Sequence, residues 1–245
     1  MIQASSTTKM LCIAHRGAMG HAPQNTLQSI SKALELGAPW IEIDVYYVDG
    51  ELIVFHDDRL EALTDGVGYV TEQSFEYLRS LKVLGSDQGI PTLDEVCSLI
   101  NGRAGLNIEL KGTGTAAPVN DFLNKLPKEH WQPEQFLVSS FNHRELLAFR
   151  QLNQDIHIGA LHCSLPVNNA QFAQELGAWS INPSLEFVDQ QLVDDAHSRD
   201  LKVYVYTVNH PDDIERMRKM GVDGVFTNYP ERVLRDDVDQ MYYLR

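Results

Sequence analysis

The sequence predicts an α/β protein of the (β/α)8 barrel class. Eight short apolar runs recur along its 245 residues, and stretches with helical spacing of apolar side chains lie between them. No low-complexity linker interrupts this alternation, so a single barrel domain over residues 1–245 is expected. An open, doubly wound parallel sheet is the alternative that the same alternation allows.

The predicted strands are apolar runs bounded by turn-forming or capping residues, as buried strands of a parallel sheet should be. In chain order they cover residues 10–14, 40–46, 106–110, 136–140, 157–161, 179–182, 202–208 and 224–227.

Capping residues mark several helix ends between these strands. Thr92 and Asn142 each precede a helical pattern and are followed three positions later by a glutamate, as in a capping box. Pro211 is expected to open a helix that Gly221 closes. Asn25 is expected to cap the first helix.

The alternation changes after the second predicted strand. Asp49 and Gly50 stand between two apolar stretches, which is typical of a β-hairpin, so this strand should continue into a ribbon. Residues 57–90 follow as a long connection with one weak helical pattern at 73–81. Connections of this length are usually functional or disordered, and we expect a small cap insertion over the barrel mouth.

The acidic composition disfavours several classes of partner. The formal net charge of -14 disfavours broad attraction to nucleic acid or to an anionic membrane, although a local cation or a bound metal could still hold a small anion. No apolar run approaches the roughly 18 residues of a membrane span, and the N-terminal residues do not form a leader-like pattern. Cys12, Cys97 and Cys163 stand in apolar contexts and are expected to be buried thiols, so a cytoplasmic protein is expected.

Charged residues inside two predicted strands are the main sign of a catalytic site. Glu42 and Asp44 lie two apart in the second strand and share one face, as Glu109 and Lys111 do in the third. Burying an unpaired carboxylate is costly, and three converging carboxylates suit Mg²⁺ or Ca²⁺. An internal salt-bridge network with Arg16 and Lys111 is the alternative.

Two histidines at strand ends are candidates for proton transfer. His15 and Arg16 follow the first strand, and His56 ends the ribbon after the second. Barrel enzymes place their sites at these carboxyl ends, and imidazole titrates near neutral pH, so an acid and base pair is expected. The remaining loop histidines are expected to face solvent: His21, His130, His143, His162, His197 and His210.

A series of motifs runs along the chain in a fixed order. It comprises AHRG with APQNT, IEIDV, HDDRL, IPTLDEV, NIELKG, VSSFN, VYTVN and GVDGVFTN. With these motifs the chain resembles the glycerophosphodiester phosphodiesterases over about residues 10–230, and in particular their short cytosolic bacterial members. The resemblance implies a TIM barrel and metal-dependent hydrolysis of glycerophosphodiesters, such as glycerophosphocholine or glycerophosphoethanolamine, to glycerol 3-phosphate and an alcohol.

The resemblance also implies a metal site and a catalytic pair. Glu42, Asp44 and Glu109 match the metal ligands of the family, and His15 and His56 match its two catalytic histidines. In similar enzymes the neighbouring glycerol hydroxyl is the first nucleophile, and water then opens the resulting cyclic phosphate.

Substrate-binding residues follow from the same comparison of motifs. Arg16 matches the phosphate-binding arginine of the family, and Lys111 matches a second cation near the phosphate. Phe141 and Tyr206 fall in matching blocks and are expected on the side of the leaving alcohol.

Three positions depart from the family pattern. Gln24 stands where glutamate is usual, Asn228 where aspartate often ends the last strand, and Tyr206 where tryptophan is common. None is an expected metal ligand, so the departures are expected to affect hydrogen bonding around the site and the choice of head group.

Two other functions remain open at this point. A phospholipase D-like or phosphoinositide phospholipase-like enzyme would act on lipids, which the acidic composition and the lack of an amphipathic membrane segment disfavour. A non-catalytic phosphodiester-binding barrel would have no need of two proton-transfer groups. The expected partner is therefore a small-molecule substrate, without nucleic acid or stable membrane insertion.

Overall fold

A computed structural model describes residues 10–234, in which nine strands form one sheet. The expectations drawn from the N-terminal residues, and the ends of the domain predicted for 1–245, lie outside the described residues. The strands are β1 (Leu11–Ala14), β2 (Trp40–Val48), β3 (Glu51–Val54), β4 (Gly105–Leu110), β5 (Phe136–Ser140), β6 (His157–His162), β7 (Ser180–Pro183), β8 (Lys202–Val205) and β9 (Gly224–Thr227).

Eight of these strands close into a barrel. They pair in parallel in the order β1-β9-β8-β7-β6-β5-β4-β2, and β1 also pairs with β2. The closure confirms the predicted (β/α)8 barrel and excludes the open, doubly wound sheet. β8 ends at Val205 rather than at the predicted residue 208, because Tyr206 makes only an isolated bridge to Ser184.

Nine α-helices lie among the described residues, most of them between successive barrel strands. They are α1 (Leu27–Glu35), α2 (Phe75–Ser80), α3 (Leu93–Ile100), α4 (Ala116–Leu123), α5 (His143–Leu152), α6 (Gln171–Glu175), α7 (Gln190–Ser198), α8 (Pro211–Met220) and α9 (Pro230–Leu234). No helix between residues 10 and 234 has the length and apolar character needed to cross a membrane.

Side-chain alternation in β2 explains how one strand serves both the core and the barrel interior. Ile41, Ile43 and Val45 are fully buried in the main hydrophobic core between strands and helices. Glu42 and Asp44 alternate with them and therefore point into the barrel. Burial of each aliphatic side chain contributes about 1.5–3 kcal/mol, whereas a buried carboxylate opposes folding unless it is paired.

The predicted hairpin is confirmed. Asp49 and Gly50 both have positive φ, at 52° and 86°, and they join β2 to the antiparallel strand β3. This backbone matches the tight turns that favour an Asp-Gly pair. The Asp49 side chain also accepts a 2.9 Å hydrogen bond from the backbone N of Phe75, so the hairpin is tied to the start of α2.

The segment 57–90 packs against the ribbon through a second hydrophobic cluster. The helix predicted at 73–81 is the shorter α2, and the insertion is closed by a bidentate ion pair between Arg79 and Glu95, at 2.8 and 2.7 Å. The cluster combines ribbon and insertion residues: Tyr46, Val48, Ile53, Phe55, Leu60, Val70, Leu78, Leu81 and Ile90.

Two of the capping predictions need correction. Thr26, not Asn25, caps α1, and it forms a capping box with Ser29. Asn142 caps α5, but Glu145 does not complete a box with it. Glu145 instead accepts hydrogen bonds from the backbone N atoms of residues 114–116, at the start of α4. The box at Thr92 and the limits of α8 are confirmed.

Candidate active site

Three carboxylates meet inside the barrel near the carboxyl ends of its strands. Glu42 and Asp44 come from β2, and Glu109 comes from β4, where the parallel register places it beside Asp44. One oxygen of each lies within 4.8 Å of the others. Glu42 and Asp44 are 3% and 0% exposed, so water screens their charges poorly.

The proximity of these buried acids raises the pKa of two of them. Burial raises the pKa of Glu42 well above its ordinary value, and the charges of Asp44 and Glu109 raise it further. Burial and the charge of Asp44 likewise raise the pKa of Glu109 to about 7, although Lys111 opposes the rise. Additional positive charge at this point would stabilise the ionised carboxylates.

Two cations face the three carboxylates. The backbone N of Arg16 donates to Glu42 at 2.9 Å, and its guanidinium Nε lies 3.3 Å from Asp44. Lys111 Nζ donates to Glu109 at 3.0 Å and lies 3.8 Å from Asp44 Oδ1. The ion pairs of the alternative salt-bridge network are therefore present, but two cations leave the formal charge of one carboxylate unbalanced.

The geometry around Asp44 distinguishes a salt-bridge network from a metal site. Among residues 10–234, its Oδ1 has no hydrogen-bond donor, although the atom is buried. A buried carboxylate oxygen normally has a partner, and an all-oxygen donor set suits a hard divalent cation. These residues therefore fit Mg²⁺ or Ca²⁺ better than they fit a closed ion-pair network.

A strained turn after β1 presents Arg16. Arg16 has a φ of 52° and Gly17 a φ of 75°. A Cβ at Gly17 would lie only 2.6 Å from the backbone carbon of Ser29, so a side chain has no room there. The guanidinium of Arg16 also donates to the side-chain oxygen of Gln24. The turn and this hydrogen bond together orient Arg16 toward the carboxylates.

Asn25 belongs to the site, which the sequence did not predict. Its Nδ2 donates to Asp44 Oδ2 at 2.9 Å, and its Oδ1 accepts from the Asp44 backbone N at 3.3 Å. Its φ of 56° turns the side chain away from α1 and toward β2. The sequence did contain one indication of this role. Thr26, directly after Asn25, can also cap a helix, so the Asn25 side chain was not needed as the cap.

The two candidate histidines have different partners at the same ring atom. Nδ1 of His15 lies 2.8 Å from the amide oxygen of Asn228, whereas Nδ1 of His56 is hydrogen-bonded to the carboxylate of Asp57. His15 is half-buried at the mouth. Burial, followed by the charge of Arg16, lowers its pKa to about 4. His15 is therefore neutral at physiological pH.

One of the histidines expected to face solvent does not. His162 is buried: its Nδ1 donates to the carbonyl of Ser164 at 2.9 Å, and its ring packs edge-on against Phe172. His143 stacks on the same ring. Both belong to the packing between the barrel and α6, not to the site.

An aromatic wall stands on another side of the mouth. The rings of Phe141 and Tyr206 meet edge to face, with their centroids 5.7 Å apart. Tyr206 Oη donates to the carbonyl of His162 at 2.9 Å, which fixes its ring, and Phe141 is 47% exposed. Trp179, a further aromatic residue at a strand end, does not belong to this wall. It lines an apolar cavity of about 220 Å³ at the amino ends of the strands.

The three departures from the family pattern all border this site. Gln24 bonds to Arg16, Asn228 bonds to His15, and Tyr206 forms part of the aromatic wall. The residues that differ therefore contact the predicted phosphate-binding, catalytic and leaving-group positions without replacing a carboxylate of the cluster.

Comparison with known proteins agrees with this geometry. The model of the glycerophosphoryl diester phosphodiesterase family matches residues 15–232. A glycerophosphodiester phosphodiesterase of Caldanaerobacter subterraneus is 36% identical over 238 residues, which cover 92% of this chain and 97% of the relative. One of Bacillus subtilis is 30% identical and covers 92% of this chain and 86% of its own length.

A solved structure is similar to this chain in fold as well as in sequence. It is an Oleispira antarctica phosphodiesterase in complex with the product sn-glycerol-3-phosphate, 32% identical, with a TM-score of 0.84 and coverage of 91% of this chain and 94% of its own. Since the family match covers seven of the eight barrel strands and all three carboxylates, this chain belongs to the glycerophosphodiester phosphodiesterase family.

Proposed function

We propose that this enzyme uses a divalent cation, Mg²⁺ or Ca²⁺, to hydrolyse glycerophosphodiesters of small polar alcohols to glycerol 3-phosphate. Glycerophosphocholine and glycerophosphoethanolamine are the proposed substrates. The observation that carries the proposal is the buried cluster of Glu42, Asp44 and Glu109, with oxygens within 4.8 Å of one another, beside His15 and Arg16.

The three carboxylates would hold the cation. When bound, it would withdraw charge from a phosphoryl oxygen and lower the pKa of the attacking glycerol hydroxyl. Asn25 would keep Asp44 in place, because it bonds to both the side chain and the backbone of that residue. The unpartnered Oδ1 of Asp44 supports this assignment.

Arg16 and Lys111 would bind the phosphate. Both cations are already anchored to carboxylates, so little side-chain entropy is lost when substrate arrives. Each could donate to phosphoryl oxygens and offset the charge that develops on them in the transition state. Lys111 is suited to this role because the neighbouring Glu109 and Asp44 keep its pKa above the ordinary value despite its burial.

The two histidines would divide the proton transfers according to their surroundings. His15, which is neutral, would accept the proton of the attacking hydroxyl as the new P–O bond forms. His56, beside the Asp57 carboxylate, would protonate the alcohol oxygen as its bond to phosphorus breaks. Opening of the cyclic phosphate would use the same groups in reverse, with water as the nucleophile.

The aromatic wall would accept the leaving alcohol. Phe141 and Tyr206 present ring surface at the mouth, and a trimethylammonium or ammonium group could lie against it through cation–π attraction. The insertion at 57–90 begins directly after His56 and would border the same mouth as a cap.

A coupled assay for glycerol 3-phosphate tests the proposed function. Purified protein is incubated with each glycerophosphodiester in Mg²⁺, in Ca²⁺ and in EDTA, with intact phosphatidylcholine and phosphatidylinositol as competing substrates. We expect release from the water-soluble diesters, loss in EDTA and recovery on addition of metal. His130→Ala, at an exposed histidine, serves as the control variant. Turnover of the intact lipids alone would contradict the proposal and support the phospholipase-like function.

A further inference from the structure

Asn228 meets His15 because of the register that closes the barrel. β1 and β9 pair with Ala14 opposite Thr227, so the residues that follow the two strands lie side by side. The backbone N of His15 donates to the carbonyl of Thr227 at 2.9 Å, and the side chains then meet through the 2.8 Å contact between Nδ1 and Oδ1. The contact is therefore anchored in the sheet.

The backbone of Asn228 is held on both sides. Its N donates to Oδ1 of Asn209 at 2.8 Å, and its carbonyl accepts from the backbone N of Gly20 at 3.0 Å. Arg232 in turn donates to the carbonyl of Asn209 at 2.8 Å. These bonds leave the side chain of Asn228 directed at the imidazole, in a fixed position.

The chemistry of an amide oxygen determines where the imidazole proton lies. An amide oxygen only accepts hydrogen bonds, so Nδ1 of His15 must carry the proton and Nε2 keeps its lone pair. We propose that Asn228 is a positioning residue that holds His15 in the Nδ1–H tautomer, with Nε2 free to accept the proton of the attacking hydroxyl. This inference rests on the function proposed above.

An amide orients the His15 imidazole without adding charge, whereas a carboxylate would also attract a second proton to the ring. The charged groups that act on His15 are Arg16 and His56, which disfavour its protonated form, and Asp44, which favours it. Asn228 orients the ring without adding a negative charge. His56 differs in its partner, because its Nδ1 is hydrogen-bonded to the Asp57 carboxylate. Asn228 thus orients His15 as a neutral base.

Kinetics of two variants test the role. Asn228→Ala should lower kcat about 10–100-fold with little change in KM, because the base loses its orientation. Asn228→Asp preserves the hydrogen bond but adds a charge, so it should retain kcat on the high-pH plateau. In the pH profile of kcat/KM, the apparent pKa on the acid side should rise by about one to two units in this variant. Asn142→Asp, which adds the same charge at the cap of α5, should leave this apparent pKa unchanged.

Imidazole ¹⁵N NMR gives a readout that does not require turnover. With His15 assigned through His15→Gln, the wild type should show the Nδ1–H tautomer at neutral pH, and Asn228→Ala should show loss of that preference. A wild type protonated on Nε2, an unchanged tautomer and kcat in Asn228→Ala, or an unchanged apparent pKa on the acid side in Asn228→Asp would each overturn the proposal. Absence of glycerol 3-phosphate release by the wild type would instead refute the proposed function, while the NMR result would still decide the role of Asn228.

Discussion

Replacement of Glu109 by glutamine should stabilise the metal-free protein while weakening its metal site. The pKa of Glu109 is raised from 4.5 to about 7, a value that already includes the attraction of Lys111. A shift of this size corresponds to about 3 kcal/mol of opposition to folding at pH 8. Glutamine has nearly the same shape and carries no charge, so Glu109→Gln should recover most of this free energy.

The size of this stabilisation depends on pH. Below pH 4.5 the side chain is protonated in both the folded and unfolded states, and it imposes no penalty. As pH rises from 4.5 to about 7, the unfolded chain ionises first, so the folded state loses relative stability up to about pH 7 and gains none back above it. The advantage of the variant should therefore be below about 1 kcal/mol at pH 5 and largest at pH 8.

Thermal unfolding in EDTA measures this prediction. For a chain of this length, about 3 kcal/mol corresponds to an increase in Tm of about 5–10 °C at pH 8. Mg²⁺ at 100 times its Kd should stabilise the wild type by about 2.7 kcal/mol and the variant far less, so the difference should shrink or reverse. Glu129→Gln, at an exposed glutamate, is the matched control. A Glu109→Gln protein less stable than the wild type in EDTA at pH 8, or equally stabilised by Mg²⁺, would refute the reasoning.

Four further substitutions test other parts of the site. His15→Ala and His56→Ala should each lower kcat about 10²–10⁴-fold, while Mg²⁺ affinity measured by calorimetry stays nearly constant; full activity in both would contradict the assigned proton transfers. Gln24→Ala removes the side-chain oxygen that accepts from the Arg16 guanidinium and should raise KM several-fold with a smaller change in kcat, and an unchanged KM would argue against an orienting role of Gln24 toward Arg16. Phe141→Ala should raise KM for glycerophosphocholine by about 2–5-fold relative to a diester with an uncharged alcohol such as glycerophosphoglycerol, and an equal change for both would exclude a cation–π contact.

Strand patterns and charge placement made most of the barrel and the carboxylate cluster predictable. Glu42, Asp44 and Glu109 interrupt strands that should otherwise be apolar, and this conflict with the pattern identified the site before its geometry was known. The hairpin at Asp49-Gly50 was predictable for a similar reason, because few residues accept two successive positive φ angles.

The contacts that complete the site depend on features that one sequence does not reveal. Asn25 could have capped α1, and only its left-handed backbone, next to the better-placed Thr26, sends its side chain to Asp44. The partner of His15 lies 213 positions away, across the seam where β1 meets β9. Barrel closure fixes that register, and local patterns carry no information about it.

The same closure explains why the site tolerates its own unfavourable electrostatics. Glu42 and Asp44 lie on a strand whose opposite face buries Ile41, Ile43 and Val45, so the strand gains about 4.5–9 kcal/mol from apolar burial. A loop could not supply that stabilisation, and the like charges would separate toward solvent. On β2 and β4 they are held within 4.8 Å of one another, and the repulsion that folding does not relieve would favour binding of the proposed divalent cation. The charge cluster therefore lies on two strands that pair over six residues, with the histidines and Arg16 placed directly after strand ends.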